Sequence, residues 1–296
     1  MKVLMARQVG FCFGVKRAVN LAKQALAERD EVFILGDLIH NRAVTADLEA
    51  RGLRKIDHFE GLHGGTVMVR AHGLPEARIA EARAAGLEVV DATCPIVRQA
   101  QEAARTLEER GCQVVVVGDA DHPEIKGILG HLQGTQPHLV VDSVEDVREA
   151  HRQRKFRQRL GVVFQTTHAP ESCQAVVAEL MLIAREVQVI NTICRPVRNR
   201  QLDAVRVATE ADVVLVVGSF KSANSIELCH LLRKYNPNTL QIENADQLDL
   251  SRFTGSEVVG IASGLSTPDA MVEAVRDRLL AAFPAAPEEP PVPPQE

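Results

Sequence analysis

The sequence predicts an α/β protein made of three repeated parallel units, and three observations lead to it. Short runs rich in Val, Ile and Leu alternate with amphipathic helical stretches along the chain. Three cysteines recur just after such runs, in Val9-Gly10-Phe11-Cys12, Asp91-Ala92-Thr93-Cys94 and Asn191-Thr192-Ile193-Cys194. Each is followed 24 residues later by a glycine closing the next run: Gly36, Gly118 and Gly218. Strand–helix alternation requires parallel sheets joined by helical crossovers, and fixed spacing between landmark residues marks an internal repeat.

Taken in order, the buried-strand signals are residues 2–7, 32–35, 66–71, 87–91, 113–117, 139–142, 162–164, 187–190, 213–217, 240–242 and 258–262. All are short, apolar and suited to central strands covered on both faces. The first helix, 15–27, places Val15, Ala18, Val19, Ala22 and Leu26 on one stripe. Residues 95–110, 201–210 and 267–283 read the same way. Thr267 is the expected N-cap of the last helix, with Pro268 at its first position. The stretch 284–296 holds six prolines in 13 residues and is expected to be a disordered or polyproline-like tail.

Composition narrows the function classes. A length of 296 residues fits one large domain or two to three small ones. A net charge of −5 does not suit a protein that coats nucleic acid. Aromatic residues at 3%, with no Trp, leave no platform for stacking bases. No apolar run reaches the roughly 18 residues of a membrane span. Six cysteines are too few for a disulfide scaffold, and the start of the chain does not read as a signal peptide. The expected setting is the reducing cytoplasm, with no nucleic acid or membrane as partner.

The repeat carries polar residues as well as thiols. Four positions past each glycine stand His40, His122 and Ser222. Thr166 and Ser266 lie 72 residues past their cysteines, and His72 lies 60 past the first. Loops at the carboxyl ends of parallel strands gather on one side, so three such units about an axis would bring Cys12, Cys94 and Cys194 together. A single cysteine after a strand is more often a small core residue; three at equal phase argue for a site. Converging thiolates in a reducing compartment point to a soft metal. Zinc in a structural site wants a fourth protein ligand, whereas a four-iron cluster held by three cysteines keeps one iron open. Cys112, Cys173 and Cys229 fall in strand or helix patterns and read as inert packing thiols. The set His40, His72, His122, Ser222, Asn224 and Ser266 resembles an anion cage without a phosphate-binding glycine loop. Glu124, two residues from His122, is a candidate proton donor with a raised pKa, or else a solvated carboxylate at a helix start.

At these residues the chain resembles a known family. Gly10-Phe11-Cys12-Phe13-Gly14-Val15, Ile39-His40-Asn41, Ala71-His72-Gly73, Asp91-Ala92-Thr93-Cys94-Pro95 and His122-Pro123-Glu124 are similar to motifs of the 4-hydroxy-3-methylbut-2-enyl diphosphate reductases, the IspH/LytB family. Gln165-Thr166-Thr167, Asn191-Thr192-Ile193-Cys194, Ser222-Ala223-Asn224-Ser225 and Ser266-Thr267-Pro268-Asp269 match in the same order, so the resemblance spans residues 1–282. It implies three α/β domains related by a pseudo-threefold axis, a trefoil around a 4Fe-4S cluster. The domains would be 14–94, 95–191 and 1–13 plus 192–283. Cys12, Cys94 and Cys194 would ligate three irons, leaving the fourth for the C4 oxygen of an allylic diphosphate. Two electrons and two protons would remove that oxygen as water in the last step of the non-mevalonate (MEP) isoprenoid pathway, giving isopentenyl and dimethylallyl diphosphates. Glu124 would deliver protons and Thr166 orient the hydroxyl; His40, His72, His122, Ser222, Asn224 and Ser266 would bind the diphosphate.

Two departures stand out. Ala223 replaces the second serine of the commonest pattern, and Val197 replaces a threonine after the third cysteine. An electron donor such as ferredoxin or flavodoxin is implied, with the basic run at 152–159 as a docking candidate. The competing readings are a cluster-dependent dehydratase or lyase of quinolinate-synthase type and a non-enzymatic iron–sulfur sensor or degenerate paralogue.

Overall fold

A computed structural model describes residues 1–284, and the expected tail at 284–296 lies, apart from Pro284, outside the described residues. The chain opens with β1 (Lys2–Met5). The next unit runs α1 (Phe13–Glu28), β2 (Val32–Leu35), α2 (Arg42–Ala50), β3 (Leu53–Ile56), β4 (Thr66–Val69), α3 (Glu76–Ala84) and β5 (Glu88–Asp91). The second runs α4 (Pro95–Glu109), β6 (Gln113–Val117), α5 (Pro123–Leu129), β7 (Leu139–Val141), α6 (Val144–Arg152), β8 (Arg159–Phe164), α7 (Pro170–Met181) and β9 (Glu186–Val189). The third runs α8 (Arg195–Glu210), β10 (Val213–Val217), α9 (Ala223–Arg233), β11 (Thr239–Ile242), β12 (Val258–Ser263) and α10 (Asp269–Ala282), with two 3-10 turns between β11 and β12. Among the described residues no helix is long and apolar enough to cross a membrane.

The strands form three four-stranded parallel sheets: β3-β2-β4-β5, β7-β6-β8-β9 and β11-β10-β12-β1. Written in that direction the three orders are one topology, so the α/β expectation and its threefold repeat are both met. In each sheet the two central strands are apolar throughout or nearly so, as in Val32–Leu35 and Val213–Val217, because helices cover both faces.

The fourth strand of each sheet leads into a cysteine, and that cysteine opens the first helix of the next unit. β1 passes through Cys12 to α1, β5 through Cys94 to α4, and β9 through Cys194 to α8. The circle closes because β1 pairs with β12, Lys2 opposite Val258, carrying the start of the chain into the last sheet. The thiols therefore sit at the three crossovers between sheets.

Four local expectations are corrected. β3 was not anticipated: Arg54 and Lys55 point outward between Leu53 and Ile56, which hides the apolar signal and suits an exposed sheet edge. α8 starts at Arg195 rather than at 201, because Pro196 and the cysteine turn start the helix ahead of its first apolar stripe. Thr267 does not cap α10. Its hydroxyl donates to the Val217 carbonyl at 2.9 Å, Pro268 takes the cap position, and the helix starts at Asp269. The strands expected at 2–7 and 66–71 end at Met5 and Val69, where the chain turns into the loops that carry Cys12 and His72.

Candidate functional site

The site lies where the carboxyl ends of the central strands of the three sheets meet. Loops after β2, β6 and β10 bring His40, His122 and Ser222; loops after β4, β8 and β12 bring His72, Thr166 and Ser266. In each sheet the chain leaves one central strand for an edge and returns to the other side, which opens a crevice between the two central strands. All eleven residues expected at the site line one cavity: Cys12, Cys94, Cys194, His40, His72, His122, Glu124, Thr166, Ser222, Asn224 and Ser266.

The backbone fixes each cysteine in the same way. The amide N–H groups of Cys12, Cys94 and Cys194 donate to the carbonyls of Leu265, Ala71 and Thr166 at 3.1, 2.9 and 2.9 Å. Each cysteine is thus clamped to a polar loop beside a central strand and then serves as N-cap of α1, α4 or α8. Burial pushes the Cys94 thiol up, and raises that of Cys194 to about 11. Gly14 makes room for this arrangement: a Cβ there would lie 2.5 Å from Cys94 Sγ. Val15, Ile96, Val97, Val197 and Leu265 form the apolar wall around the thiols.

In the same cavity the three imidazoles pack against one another, tilted or edge-on. Ring centroids of His40 and His72 are 4.5 Å apart, and those of His72 and His122 are 5.5 Å apart. Burial is the first cause lowering the pKa of all three. It holds His72 well below its ordinary value and takes His122 to about 4. The imidazoles are therefore neutral donors at pH 7 in the structure as it stands, rather than the cations that a protonated cage would offer. His122 Nδ1 accepts the Glu124 amide at 3.2 Å, which fixes its ring. His72 Nδ1 and Asn224 Nδ2 are buried without a hydrogen-bond partner, so the cavity wall carries polar atoms available to a ligand.

Glu124 is 1% exposed, and burial pushes its carboxyl up to about 7. The carboxylate accepts the Thr166 amide at 2.6 Å and the Thr166 hydroxyl at 2.9 Å, which oppose that rise but do not cancel it. The solvated helix-start alternative is excluded by this burial. The third unit is tied to the first beside the cavity: Asn41 Nδ2 donates to the Ser266 carbonyl at 2.9 Å, and Ser266 Oγ donates to the His40 carbonyl at 3.4 Å.

Two donor sets could hold metal. Among the described residues, the one set of three His, Cys, Asp or Glu ligand atoms lying within 4.8 Å of one another is His40, His72 and His122. The thiols line the same cavity but are more widely spread than the ligands of a single ion, whose sulfurs sit about 2.3 Å from zinc. A cluster that offers each thiolate its own iron suits that spread. Cys112, Cys173 and Cys229 are buried among apolar side chains in three other core regions, as expected of packing thiols.

Arg200 was not singled out from the sequence. Arg200 is 6% exposed and pairs with no carboxylate among the described residues; Nη1 donates to the carbonyls of Gly10 at 2.7 Å and Gly264 at 2.9 Å. It pins the loop before Cys12 to the loop before Ser266. Its signal in the sequence is only its neighbour Gln201 and the third cysteine six residues earlier, since the carbonyls it serves are distant in the chain.

Known proteins resemble this chain in sequence and fold. A family profile described as LytB protein matches residues 3–280. The 4-hydroxy-3-methylbut-2-enyl diphosphate reductase of Geobacter sulfurreducens is 42% identical over 279 residues, covering 94% of this chain and 97% of that protein. That of Aquifex aeolicus is 40% identical, covering 94% and 95%. A solved structure of (E)-4-hydroxy-3-methyl-but-2-enyl diphosphate reductase, described as the terminal enzyme of the non-mevalonate pathway, superposes with a TM-score of 0.71 at 40% identity, covering 95% of this chain and all of that one. A Plasmodium falciparum reductase structure, 24% identical, shares the fold with a TM-score of 0.87 over 94% of this chain and 88% of that one. Sequence and fold thus agree along nearly the whole chain, and this chain belongs to the LytB family of 4-hydroxy-3-methylbut-2-enyl diphosphate reductases.

Proposed function

We propose that the protein reduces (E)-4-hydroxy-3-methylbut-2-enyl diphosphate to isopentenyl and dimethylallyl diphosphates, the last step of the MEP pathway, in the reducing cytoplasm. The observation that carries the reading is one cavity lined by three thiols, three imidazoles and a buried Glu124 whose carboxyl is raised to about 7. Cys12, Cys94 and Cys194 would hold a 4Fe-4S cluster, which supplies an open iron and the electrons for C–O cleavage.

The remaining steps belong to the chain. His40, His72 and His122 hold the diphosphate by N–H donation, and their burial strengthens each bond relative to water. Ser222, at the start of α9, and Ser266 add hydroxyl donors, and Asn224 adds its unpartnered amide. Thr166 orients the substrate hydroxyl while its own amide and hydroxyl fix the Glu124 carboxyl. Glu124, neutral below about pH 7, gives up the proton that leaves with the hydroxyl oxygen as water. The apolar wall of Val15, Val97, Val197 and Leu265 excludes bulk water from the reacting centre. The imidazole and hydroxyl donors favour a diphosphate over the substrate of a quinolinate-synthase-type lyase.

The decisive test is turnover of the hydroxymethylbutenyl diphosphate by anaerobic, cluster-loaded protein with dithionite and a viologen mediator. Formation of both products is expected, and a cluster-loaded sample that yields neither overturns the reading. Ala223→Ser provides a finer check. Ala223 is the first residue of α9 and lines the cavity, so a hydroxyl there reaches the anion. KM should fall about tenfold with kcat little changed, the effect of one hydrogen bond to a charged group.

A further inference from the structure

We infer that an acidic one-electron carrier protein docks over the first turns of α1, α4 and α8, an inference that rests on the reductase reading. The three helices start at the three thiols, and their exposed residues keep the phase of the repeat. One residue past the cysteines stand Phe13, Pro95 and Arg195; four past stand Lys16, Arg98 and Arg198, and all six are exposed. The amides of Lys16, Arg98 and Arg198 donate to the carbonyls of Cys12, Cys94 and Cys194 at 2.9, 3.0 and 3.2 Å. Each cation therefore stands one helical turn, about 6 Å of axial rise, from a residue whose thiol lines the cavity.

Charge and shape agree at this surface. Arg17 adds a half-buried cation bonded to the Thr93 carbonyl at 3.1 Å. Asp91 is the carboxylate paired there, with Arg98 at 2.6 Å, while Lys16, Arg195 and Arg198 are in no ion pair among the described residues. Phe13 is 71% exposed beside Cys12, an aromatic open to a partner three residues before Lys16 on the same helix. Beyond α8 a groove rimmed by Arg195 and Arg198 runs past Met181 and Val189, both exposed. An aromatic and aliphatic centre with a cationic rim is the make-up of a transient interface for an acidic partner.

The basic run at 152–159 is less suited. It precedes β8, whose six residues run from Arg159 to Phe164 toward Thr166, placing Arg159 about 20 Å from the cavity. Arg152 and Arg159 are also paired, with Glu149 and Glu186.

In each docking event a reduced carrier leaves oxidised after giving up one electron. Two visits supply the two electrons that break the C–O bond; one proton leaves with the hydroxyl oxygen as water and a second forms the new C–H bond of the product. The test uses anaerobic, cluster-loaded protein and an acidic plant-type ferredoxin as probe. Calorimetry with the oxidised ferredoxin at low salt should show about tenfold or greater weakening for the double variant Lys16→Glu, Arg198→Glu, with a flatter dependence of affinity on salt. Turnover with dithionite should be unchanged in that variant, and Arg154→Glu with Arg157→Glu should keep wild-type affinity. The inference is overturned if the wild-type protein does not bind the ferredoxin, if the Lys16/Arg198 variant stays within about twofold of it, or if the Arg154/Arg157 variant is the weaker binder. Absent dithionite turnover in the wild type overturns the reductase reading instead, and the affinities still decide the docking surface.

Discussion

Glu124→Gln is expected to lower kcat by about 10²–10⁴-fold, the contribution of a positioned general acid, and at the same time to make the protein more stable above neutral pH. The two effects have one cause. Glu124 is fully buried, and desolvation raises its carboxyl from an ordinary 4.5 to about 7. The folded state then binds a proton that the unfolded state releases at lower pH. Stability is full below about pH 4.5, falls as pH rises towards 7, and stays lower above it. The loss is on the order of 3 kcal/mol. Gln is isosteric, its oxygen can still accept the Thr166 amide, and its amide group can donate to the Thr166 hydroxyl oxygen. Urea denaturation should therefore show a gain for the variant at pH 8 that shrinks at pH 5. In the wild type, turnover should fall as pH rises through about 7, where the donor loses its proton. A variant retaining more than about a tenth of wild-type kcat would remove Glu124 from the role.

Arg200→Gln should cost about 3 kcal/mol of stability, and its second effect should fall on the metal centre. The guanidinium serves the carbonyls of Gly10 and Gly264 at 2.7 and 2.9 Å, with longer contacts to Ser263 at 3.4 Å and Val9 at 3.5 Å. The shorter Gln side chain cannot span them, and each abandoned buried acceptor costs about 1–3 kcal/mol. The same bridge holds the loop that carries Cys12, one of the three thiols lining the cavity. Equilibrium unfolding should report the stability loss, and iron and sulfide content after anaerobic reconstitution should fall with it. Arg200→Lys, which keeps the charge but not the fork, should recover part of the iron content. A loss under about 1 kcal/mol with full iron content would show that the loops hold themselves.

Much of the site was legible because its chemistry is carried by residues in fixed phase. Cysteine, the following glycine and the polar loop residue recur at matching intervals, and each falls at a strand end or helix start. What escaped did so for physical reasons. β3 is an edge strand whose outward residues are Arg54 and Lys55, so no apolar run announces it. The first turn of α8 is hydrophilic and reads as loop until the cysteine cap and Pro196 are seen to start the helix. Thr267 has the right neighbours for a cap, but the buried Val217 carbonyl competes for its hydroxyl. Nothing near Arg200 in the sequence shows its partners, which lie 190 and 64 residues away. The imidazole protonation states were also hidden, since the burial that neutralises His72 and His122 comes from packing between units.

The pairing of β1 with β12 has a consequence for how the protein is made. Lys2 is synthesised 256 residues ahead of Val258, its partner in the sheet. At about 5–20 residues per second, the opening strand waits some tens of seconds for a place in a sheet. Until then Cys12, which follows that strand, has no Leu265 carbonyl to hold it and no Arg200 bridge to its loop. The first two units can close their sheets as they emerge, but the third thiol is delivered only when the circle is complete. A cluster on the three thiols would thereby wait for β12 and the loop after it, and a chain cut short before that strand presents Cys94 and Cys194 without Cys12 held beside them.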